Sequence, residues 1–168
     1  MDAGVYQNGD ISESDVTQVT DPSGNCMKFI GYDGEYLSAE GVRLGQFPDP
    51  RINIPQIKEM EVKENDIFIN AYPKAGTHWV WEISKMLLKG KAEYEEAIKE
   101  TAMIEFNSPE MLQKLPPPRV FNSHLYFRNL PRDIIKKKCK IIFVNRNPKD
   151  ICVSYYHHCV HCSSVEWR

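Results

Sequence analysis

The 168-residue sequence has no long hydrophobic run, and its longest aliphatic and aromatic stretch spans only Ile141–Val144. A membrane-spanning helix needs about 20 consecutive apolar residues, so the sequence predicts no membrane partner. Residues Met1–Val5 also lack the basic and apolar segments that are typical of a secretory signal. These absences together predict a cytoplasmic protein.

The sequence also lacks a regular cysteine pattern and a large net charge. Its five cysteines are an odd number without regular spacing, which does not suit a disulfide framework, so we expect reduced thiols. The 21 basic and 23 acidic side chains leave a net charge of −2, which predicts no nucleic-acid partner. Basic residues are concentrated in residues 132–149, a pattern that suits a polyanionic ligand but is equally typical of a solvent-exposed helix face.

The first 25 residues are rich in Asp, Ser, Thr, Gly and Asn and contain few apolar side chains. Such a composition buries too little apolar surface to offset the entropy of ordering, which predicts a disordered leader over residues 1–25. Residues 26–168 suffice for one compact domain and are too few for two. A Gly-containing turn within Phe29–Leu37 separates two short apolar runs and predicts a small hairpin.

From residue 66 onward, short apolar runs alternate with helical patterns. Asp66–Ala71 predicts a strand, and apolar residues at three- and four-residue spacing predict a helix from Thr77 to near Gly90. Strands alternating with helices indicate the α/β class, with a parallel sheet flanked by helices. Further strands are predicted at 120–123 and 139–145, and further helices at 54–60, 93–102, 108–115, 130–138 and 150–159.

The turn between the first of these strands and its helix has the features of an anion-binding loop. The N–H groups of a helix's first turn have no intrahelical partner, and the helix dipole favours negative charge there. Gly76 allows a phosphate close to the backbone, Lys74 adds a positive charge, and Thr77 adds a hydroxyl. The Lys precedes the Gly, so the Walker pattern is absent and an ordinary nucleoside triphosphatase is disfavoured.

Two long motifs resemble those of the cytosolic sulfotransferases. Tyr72–Trp79 reads Y-P-K-A-G-T-H-W and resembles the family's Y-P-K-S-G-T-T-W loop, which binds the phosphosulfate end of 3′-phosphoadenosine 5′-phosphosulfate (PAPS). Val144–His157 resembles the family's V-A-R-N-x-K-D-x-x-V-S-Y-Y-H segment, and Asn122–Leu125 falls where the family has K-T-H-L. The resemblance covers about residues 45–160 and implies a P-loop nucleoside-triphosphatase-like sulfotransferase fold, with residues 26–168 as its N-terminal portion.

The resemblance also implies a reaction. The chain would be a PAPS-dependent sulfotransferase that transfers a sulfuryl group to a hydroxyl or amine of a small-molecule acceptor, with PAPS as co-substrate and without a metal. His124 would be the general base, Lys74 would stabilise the leaving group, and Arg146 and Ser154 would hold the 3′-phosphate. The implied donor-binding residues are Lys74, Ala75, Gly76, Thr77, His78, Trp79, Arg146 and Ser154.

The physical chemistry of these side chains suits the implied roles. A lysine aimed at the departing oxygen acts on charge that develops in the transition state, and an arginine donates two hydrogen bonds to a phosphate. A histidine titrates near neutral pH and can accept a hydroxyl proton. Taken alone, Lys74 is as often an ordinary loop lysine as a functional one. His124, Arg146, Ser154 and Trp79 taken alone are more often ordinary core or surface residues. The combination favours a site because open α/β sheets bind ligands beyond the carboxyl ends of their strands.

Three departures from the family bear on activity. His78 replaces the second Thr of the loop, and Asn122 stands where the family has a Lys that adds positive charge near the sulfate. The family's R-K-G-x-x-G-D-W-K segment, which grips the 3′-phosphate and adjoins a dimerisation motif, does not occur in the 168 residues. We therefore expect an incomplete fold, from a truncated gene model, a splice form or a fragment, and a homodimer where that segment is present. The alternative function is a catalytically impaired PAPS- or PAP-binding fragment or scaffold.

A further hypothesis concerns metal binding near the end of the sequence. Residues 152–162 are dense in His and Cys, and Cys159–Cys162 forms a C-x-x-C pair. One such pair is a weak zinc signal, because a structural zinc site needs four ligands. Zinc titration against a Cys159/Cys162 double mutant would decide between a metal site and ordinary helix-end residues.

Overall fold

The described part of the chain contains α-helices, strands and short 3-10 turns. The computed structural model describes residues 11–24, 26–39, 42 and 45–164, with side chains through residue 158. Its strands are β1 (Val16–Thr20), β2 (Cys26–Tyr32), β3 (Glu35–Ser38), β4 (Ile67–Ala71), β5 (Val120–Ser123) and β6 (Lys140–Val144). Its helices are α1 (Pro50–Lys58), α2 (Thr77–Lys89), α3 (Pro109–Gln113) and α4 (Pro148–Ser164).

Three parallel strands form the central sheet, in the order β5-β4-β6. β4 is buried along its whole length, as its nearly continuous apolar sequence predicts for a strand covered on both faces. The register pairs Ile67 with Val120 and with Lys140, so the three strands begin at one level and end at one edge. The predicted α/β class, with a parallel sheet flanked by helices, is confirmed.

Alternate side chains of β4 pack against different layers, because successive side chains of a strand point to opposite faces. Ile67 and Ile69 pack with Trp81 of α2. Phe68 packs with Ile54 and other aliphatic residues of a larger buried cluster. Burial of one such side chain contributes about 1.5–3 kcal/mol, so the two layers fix the sheet and the helix that begins at its edge.

The helix boundaries follow local signals. Asp49 accepts the N–H of Arg51 at 2.9 Å and so caps α1, whose first residue is Pro50. α2 ends before Gly90, whose φ of 66° is a left-handed conformation that glycine adopts without steric cost. Ser108 caps α3, as the sequence predicts. The predicted helices at these three places are confirmed, with α1 beginning four residues before the predicted Ile54.

A second sheet is antiparallel and has the order β1-β2-β3. The hairpin predicted within Phe29–Leu37 is confirmed by the pairing of β2 with β3. The prediction of a disordered leader over residues 1–25 is wrong for Val16–Thr20, which forms β1 and pairs with β2 along its length. Composition misses this strand because cross-strand pairing stabilises it. Residues 1–10 and 25 lie outside the described residues.

Two predicted helices differ from the structure. In the 93–102 segment only Lys99–Ala102 is helical, as a 3-10 turn. The Glu95 carboxylate pairs with Lys85 at 3.1 Å and with Lys89 at 3.2 Å. The backbone N–H of Glu95 donates to the Glu82 side chain. These contacts hold the segment against α2 in place of a helical conformation. In the 130–138 segment a 3-10 turn covers only residues 132–134. The positive φ of 52° at position 138 is incompatible with a continued helix.

β6 lies at the edge of the parallel sheet within the described part of the chain. Its Phe143 is 70 % exposed, and Leu87 on α2 is 76 % exposed. Among the described residues, no helix has the length and apolarity that crossing a lipid bilayer requires.

Candidate functional site

The strand ends of the parallel sheet bring the predicted site residues to one edge. Asn70 pairs with Ser123, and Ala71 pairs with Val144, so β4, β5 and β6 end side by side. Lys74, His124 and Arg146 follow these three strands in order. Beyond the carboxyl ends of parallel strands lies the usual ligand crevice of an open α/β sheet.

The loop between β4 and α2 has an unusual backbone. Lys74 has a φ of 66° and Gly76 a φ of 120°. The N–H of Ala75 donates to the carbonyl of Tyr72 at 3.1 Å and closes a turn, and α2 begins directly afterwards at Thr77. A non-glycine residue with positive φ carries a cost of about 1–3 kcal/mol, and such strain is concentrated at functional sites. The loop therefore places Lys74 near the N-terminus of α2, and this placement requires a strained backbone conformation at Lys74.

The start of α2 fits an anionic ligand. The Thr77 hydroxyl is buried and has no hydrogen-bond partner among the described residues. The first turn of α2 contains no acidic side chain. Buried hydroxyls are normally paired, so an orphan hydroxyl at a positive helix end indicates a place that a phosphate or sulfate oxygen would fill.

Arg146 connects the end of β6 to this loop. Its Nη1 donates to the carbonyl oxygen of Lys74 at 3.0 Å, and the side chain is exposed. The remaining N–H groups of its guanidinium are suited to a second acceptor such as a phosphate. Ser154 lies half-buried on α4, where Ile151 packs with Ala75 of the loop. The fold thus brings β6, α4 and the loop to one place.

His78 and Trp79 extend from the first turn of α2 into solvent. Trp79 is 77 % exposed, which leaves an aromatic face open for stacking. His78 is exposed and lies near Glu100, whose pKa is lowered against its partial burial chiefly by the hydrogen bond from Lys99. Tyr72 of the loop forms an edge-on ring contact with Tyr155 of α4, with centroids 6.3 Å apart.

His124 follows β5 and is held in one orientation. Its Nδ1 lies 2.7 Å from the carbonyl oxygen of Ala71. A carbonyl only accepts, so Nδ1 carries the hydrogen and Nε2 has a free lone pair. Burial, assisted by the positive charge of Lys99, lowers the pKa of His124 below its usual value of 6.5. The imidazole is therefore neutral at neutral pH, the state that a general base needs.

Three further groups at the site were not predicted from the sequence. Glu105 is only 4 % exposed, and its Oε1 accepts the backbone N–H of His124 at 2.8 Å. Glu35 of β3 accepts the backbone N–H of Tyr126. Lys99 contributes a positive charge that acts on both His124 and Glu105. No local pattern marks these residues, because each reaches the site from a distant part of the sequence.

Burial raises the pKa of Glu105 to about 7 from its ordinary value of 4.5. The folded protein therefore binds this proton more tightly than the unfolded chain does, and stability falls as pH rises between these two values. We expect the free energy of unfolding of the wild type, relative to Glu105→Gln, to fall by about 2 to 3 kcal/mol from pH 5 to pH 8. Urea unfolding of both proteins at the two pH values measures this difference, and parallel pH dependences would contradict it.

Asn122 on β5 stands two positions before His124, where the resembled family has a lysine. Its side chain is fully buried, and its Nδ2 donates to the carbonyl of Lys99 at 3.3 Å. Its Oδ1 has no partner among the described residues. The position therefore presents an unpaired neutral amide oxygen, and the nearby positive charge comes from Lys99 on another segment.

Among the described side chains, no group of three or more His, Cys, Asp or Glu residues could hold a metal ion. The side chains of Cys159, His161 and Cys162 lie outside the described residues, so the zinc hypothesis stays a hypothesis.

A strand, a strained loop and a helix N-terminus that fits an anion define an α/β protein with a P-loop-like anion site. Comparison with known proteins identifies the family. The family model described as "Sulfotransferase domain" matches residues 64–167. The chain belongs to the sulfotransferase family.

Two curated relatives show the extent of the similarity. Sulfotransferase 1 family member D1 of Mus musculus is 38 % identical over 133 residues, which cover 73 % of this chain and 44 % of that protein. Sulfotransferase 6B1 of Danio rerio is 33 % identical over 122 residues, which cover 70 % of this chain and 41 % of that protein. The chain thus spans less than half the length of these relatives.

Solved structures agree on the fold. The crystal structure of mouse sulfotransferase SULT7A1 complexed with PAP matches with a TM-score of 0.60 at 30 % identity, over 77 % of this chain and 43 % of that one. A putative steroid sulphotransferase of Arabidopsis thaliana matches with a TM-score of 0.62 over 91 % of this chain and 56 % of that one, and its 23 % identity supports the fold alone. The sulfotransferase fold, partly covered, is confirmed.

Proposed function

We propose that the chain binds PAPS at the edge formed by β4, β5 and β6 and transfers its sulfuryl group to a small-molecule hydroxyl or amine. The observation that carries the proposal is the convergence of Lys74, His124 and Arg146 at three adjacent strand ends. The orphan Thr77 hydroxyl supports an anionic ligand there. Family membership and the PAP bound to mouse SULT7A1 support the identity of the donor.

In this proposal the donor's two anionic ends are held by different elements. The loop of residues 74–79 and the N-terminus of α2 take the phosphosulfate end, where backbone N–H groups and the Thr77 hydroxyl donate. Arg146 and Ser154 take the 3′-phosphate, whose oxygens accept hydrogen bonds from a guanidinium and a hydroxyl. The exposed ring of Trp79 stacks on the adenine. The hydrogen bond from Arg146 to the carbonyl of Lys74 supports this division, because it fixes the distance between the two ends.

The bonds, the proton and the electron pair of the transfer step are all accounted for by the acceptor, the donor, His124 and Lys74. The acceptor oxygen or nitrogen forms a bond to sulfur while the bond from sulfur to the bridging phosphate oxygen breaks. The acceptor's proton passes to Nε2 of His124, and the electron pair of the broken bond stays on the departing phosphate oxygen. Lys74 stabilises that oxygen, whose negative charge grows only as the bond breaks.

A second candidate function is a PAPS- or PAP-binding fragment or scaffold with impaired catalysis. The observation that favours it is Asn122, a buried neutral side chain with an unpaired oxygen beside the catalytic edge. An amide supplies no charge to the transferring group, so transition-state stabilisation would be weaker than with an ammonium. Donor binding would be affected less, because the loop and Arg146 supply its contacts.

A transfer assay with labelled PAPS and a panel of phenols, alcohols and amines separates the two candidates. Transfer by the wild type that is lost in Lys74→Ala and in His124→Ala supports the enzyme. Donor binding without transfer to any acceptor supports the scaffold. Absence of donor binding would contradict both candidates.

We also propose a cytoplasmic setting and, for a chain that includes the family's dimerisation segment, a homodimer. Cys26, Cys139 and Cys152 are free, which suits a reducing compartment. A homodimer is supported only by the family resemblance. Analytical ultracentrifugation of a chain that includes that segment tests the homodimer directly.

A further inference from the structure

The segment that follows β5 and carries His124 is held by side chains at three consecutive backbone N–H groups. The N–H of His124 donates to Glu105 Oε1 at 2.8 Å, and the N–H of Leu125 donates to Ser123 Oγ at 3.0 Å. The N–H of Tyr126 donates to Glu35 Oε1. A loop normally exposes such groups to water, so this segment has exchanged water for fixed acceptors.

The two carboxylates come from different parts of the fold. Glu105 lies in a 3-10 turn of residues 104–106 that packs against β5, and Glu35 is the first residue of β3 in the antiparallel sheet. Glu35 also accepts from Asn129 Nδ2 at 3.3 Å. Next to it, Asp33 pairs with Arg128 at 2.9 Å. The antiparallel sheet, all of which precedes the matched family domain at residues 64–167, thereby contacts the segment that carries the base.

We propose that Glu105 and Glu35 are positioning residues for His124 and form a carboxylate clamp on residues 124–126. The proposal rests on the proposed function in one respect, the role of His124 as general base. The clamp fixes the backbone from which the imidazole reaches the carbonyl of Ala71, and that contact selects the tautomer with a free Nε2.

The clamp also couples catalysis to pH. Burial raises the pKa of Glu105 to about 7 and raises the pKa of Glu35 above its ordinary value, with the negative charge of Glu105 adding to the latter. The charged groups that face Glu105 are Lys99, from the preceding 3-10 turn Lys99–Ala102, Glu35 of β3 and, when protonated, His124. A hydrogen bond to an ionised carboxylate is stronger than one to its acid, so the clamp is firmest above about pH 7.

Backbone amide hydrogen exchange, measured by NMR on the full 168-residue chain, tests the clamp without reference to activity. We expect Glu105→Ala to accelerate exchange at His124, and Glu35→Ala at Tyr126, by about tenfold or more. Glu105→Gln keeps an acceptor oxygen, and its exchange at His124 should stay close to the wild type. If Glu105→Ala does not fold, exchange at Tyr126 in Glu35→Ala carries the test. Glu96→Ala, at an exposed glutamate, is the matched control.

Transfer kinetics then connect the clamp to the base. Glu105→Ala should lower kcat by about tenfold to a hundredfold, with the Kd for PAP unchanged, because only the orientation of the His124 imidazole is lost. In the wild type, the pH profile of kcat should show two ionisations, that of Glu105 near pH 7 and that of His124 at a lower pH. Glu105→Gln should retain only the ionisation of His124.

Exchange rates at His124 and Tyr126 that match the Glu96→Ala control in both alanine variants would overturn the proposal. Accelerated exchange with unchanged kcat would overturn the positioning role and leave a purely structural contact. A wild type that shows no transfer at all would instead contradict the proposed function, and the exchange rates would still decide whether the clamp exists.

Discussion

Replacement of His124 by Ala is expected to lower kcat for sulfuryl transfer by about 10²–10⁴-fold, the usual worth of a positioned general base. The physical reason is that Nδ1 is committed to the carbonyl of Ala71, so only Nε2 can accept the acceptor's proton. The affinity for PAP should stay unchanged, because the imidazole contacts none of the proposed donor-binding elements. Steady-state kinetics with the best acceptor of the panel, together with calorimetric titration of PAP, measure both quantities.

The control for this prediction is His157→Ala, at an exposed histidine on α4. It should retain wild-type kcat. The pH dependence adds a second check, because the pKa of His124 lies below its ordinary 6.5 through burial. In Glu105→Gln, which removes the ionisation near pH 7, activity limited by this base should therefore persist below pH 6.5 and fall only under more acidic conditions. A His124→Ala enzyme with wild-type kcat would exclude the residue as the base.

Replacement of Lys74 by Met is expected to lower kcat by about 10²–10³-fold, since a preorganised charge aimed at the leaving oxygen acts mainly in the transition state. Methionine is the appropriate substitute, because it keeps a long unbranched stem at a backbone φ of 66°. A glycine there would relax the strain and confuse the result. Affinity for PAP should fall much less than kcat, which single-turnover kinetics and equilibrium titration separate.

Lys114→Met provides a charge-matched control at an exposed lysine at the end of α3. It should leave both kcat and PAP affinity unchanged. Lys74→Arg should not recover full activity, because a guanidinium is a planar fork and not a compact point charge. Equal losses of PAP affinity and of kcat in Lys74→Met would show a role in binding the donor and none specific to the transition state.

The parallel sheet and its loop could be predicted from the sequence because their signals are local. β4 is one continuous apolar run, and α2 has its apolar residues at helical spacing with Gly90 at its end. β-branched residues mark β6 in the same way. Strands that alternate with helices have few possible arrangements, so the edge that brings Lys74 and His124 together followed from topology alone.

The elements that were missed depend on contacts between distant residues. β1 is polar and mostly exposed, and it is ordered by pairing with β2. Glu105 and Glu35 reach the backbone beside His124 across 19 and 91 sequence positions. The pKa of Glu105 is raised by complete burial, which a sequence containing an ordinary glutamate does not reveal. Sequence motifs predicted the proposed donor site and the candidate base, whereas the residues that position that base required the structure.

Isothermal titration with PAP tests the central claim most directly, because both candidate functions require the nucleotide to bind at this edge. The account predicts saturable one-to-one binding of PAP, weakened about tenfold to a hundredfold in Arg146→Met through loss of a charged hydrogen-bond donor. AMP, which lacks the 3′-phosphate, should bind more weakly than PAP and lose less affinity than PAP does in Arg146→Met. Absence of PAP binding, or equal binding of PAP by the wild type and Arg146→Met, would contradict the account.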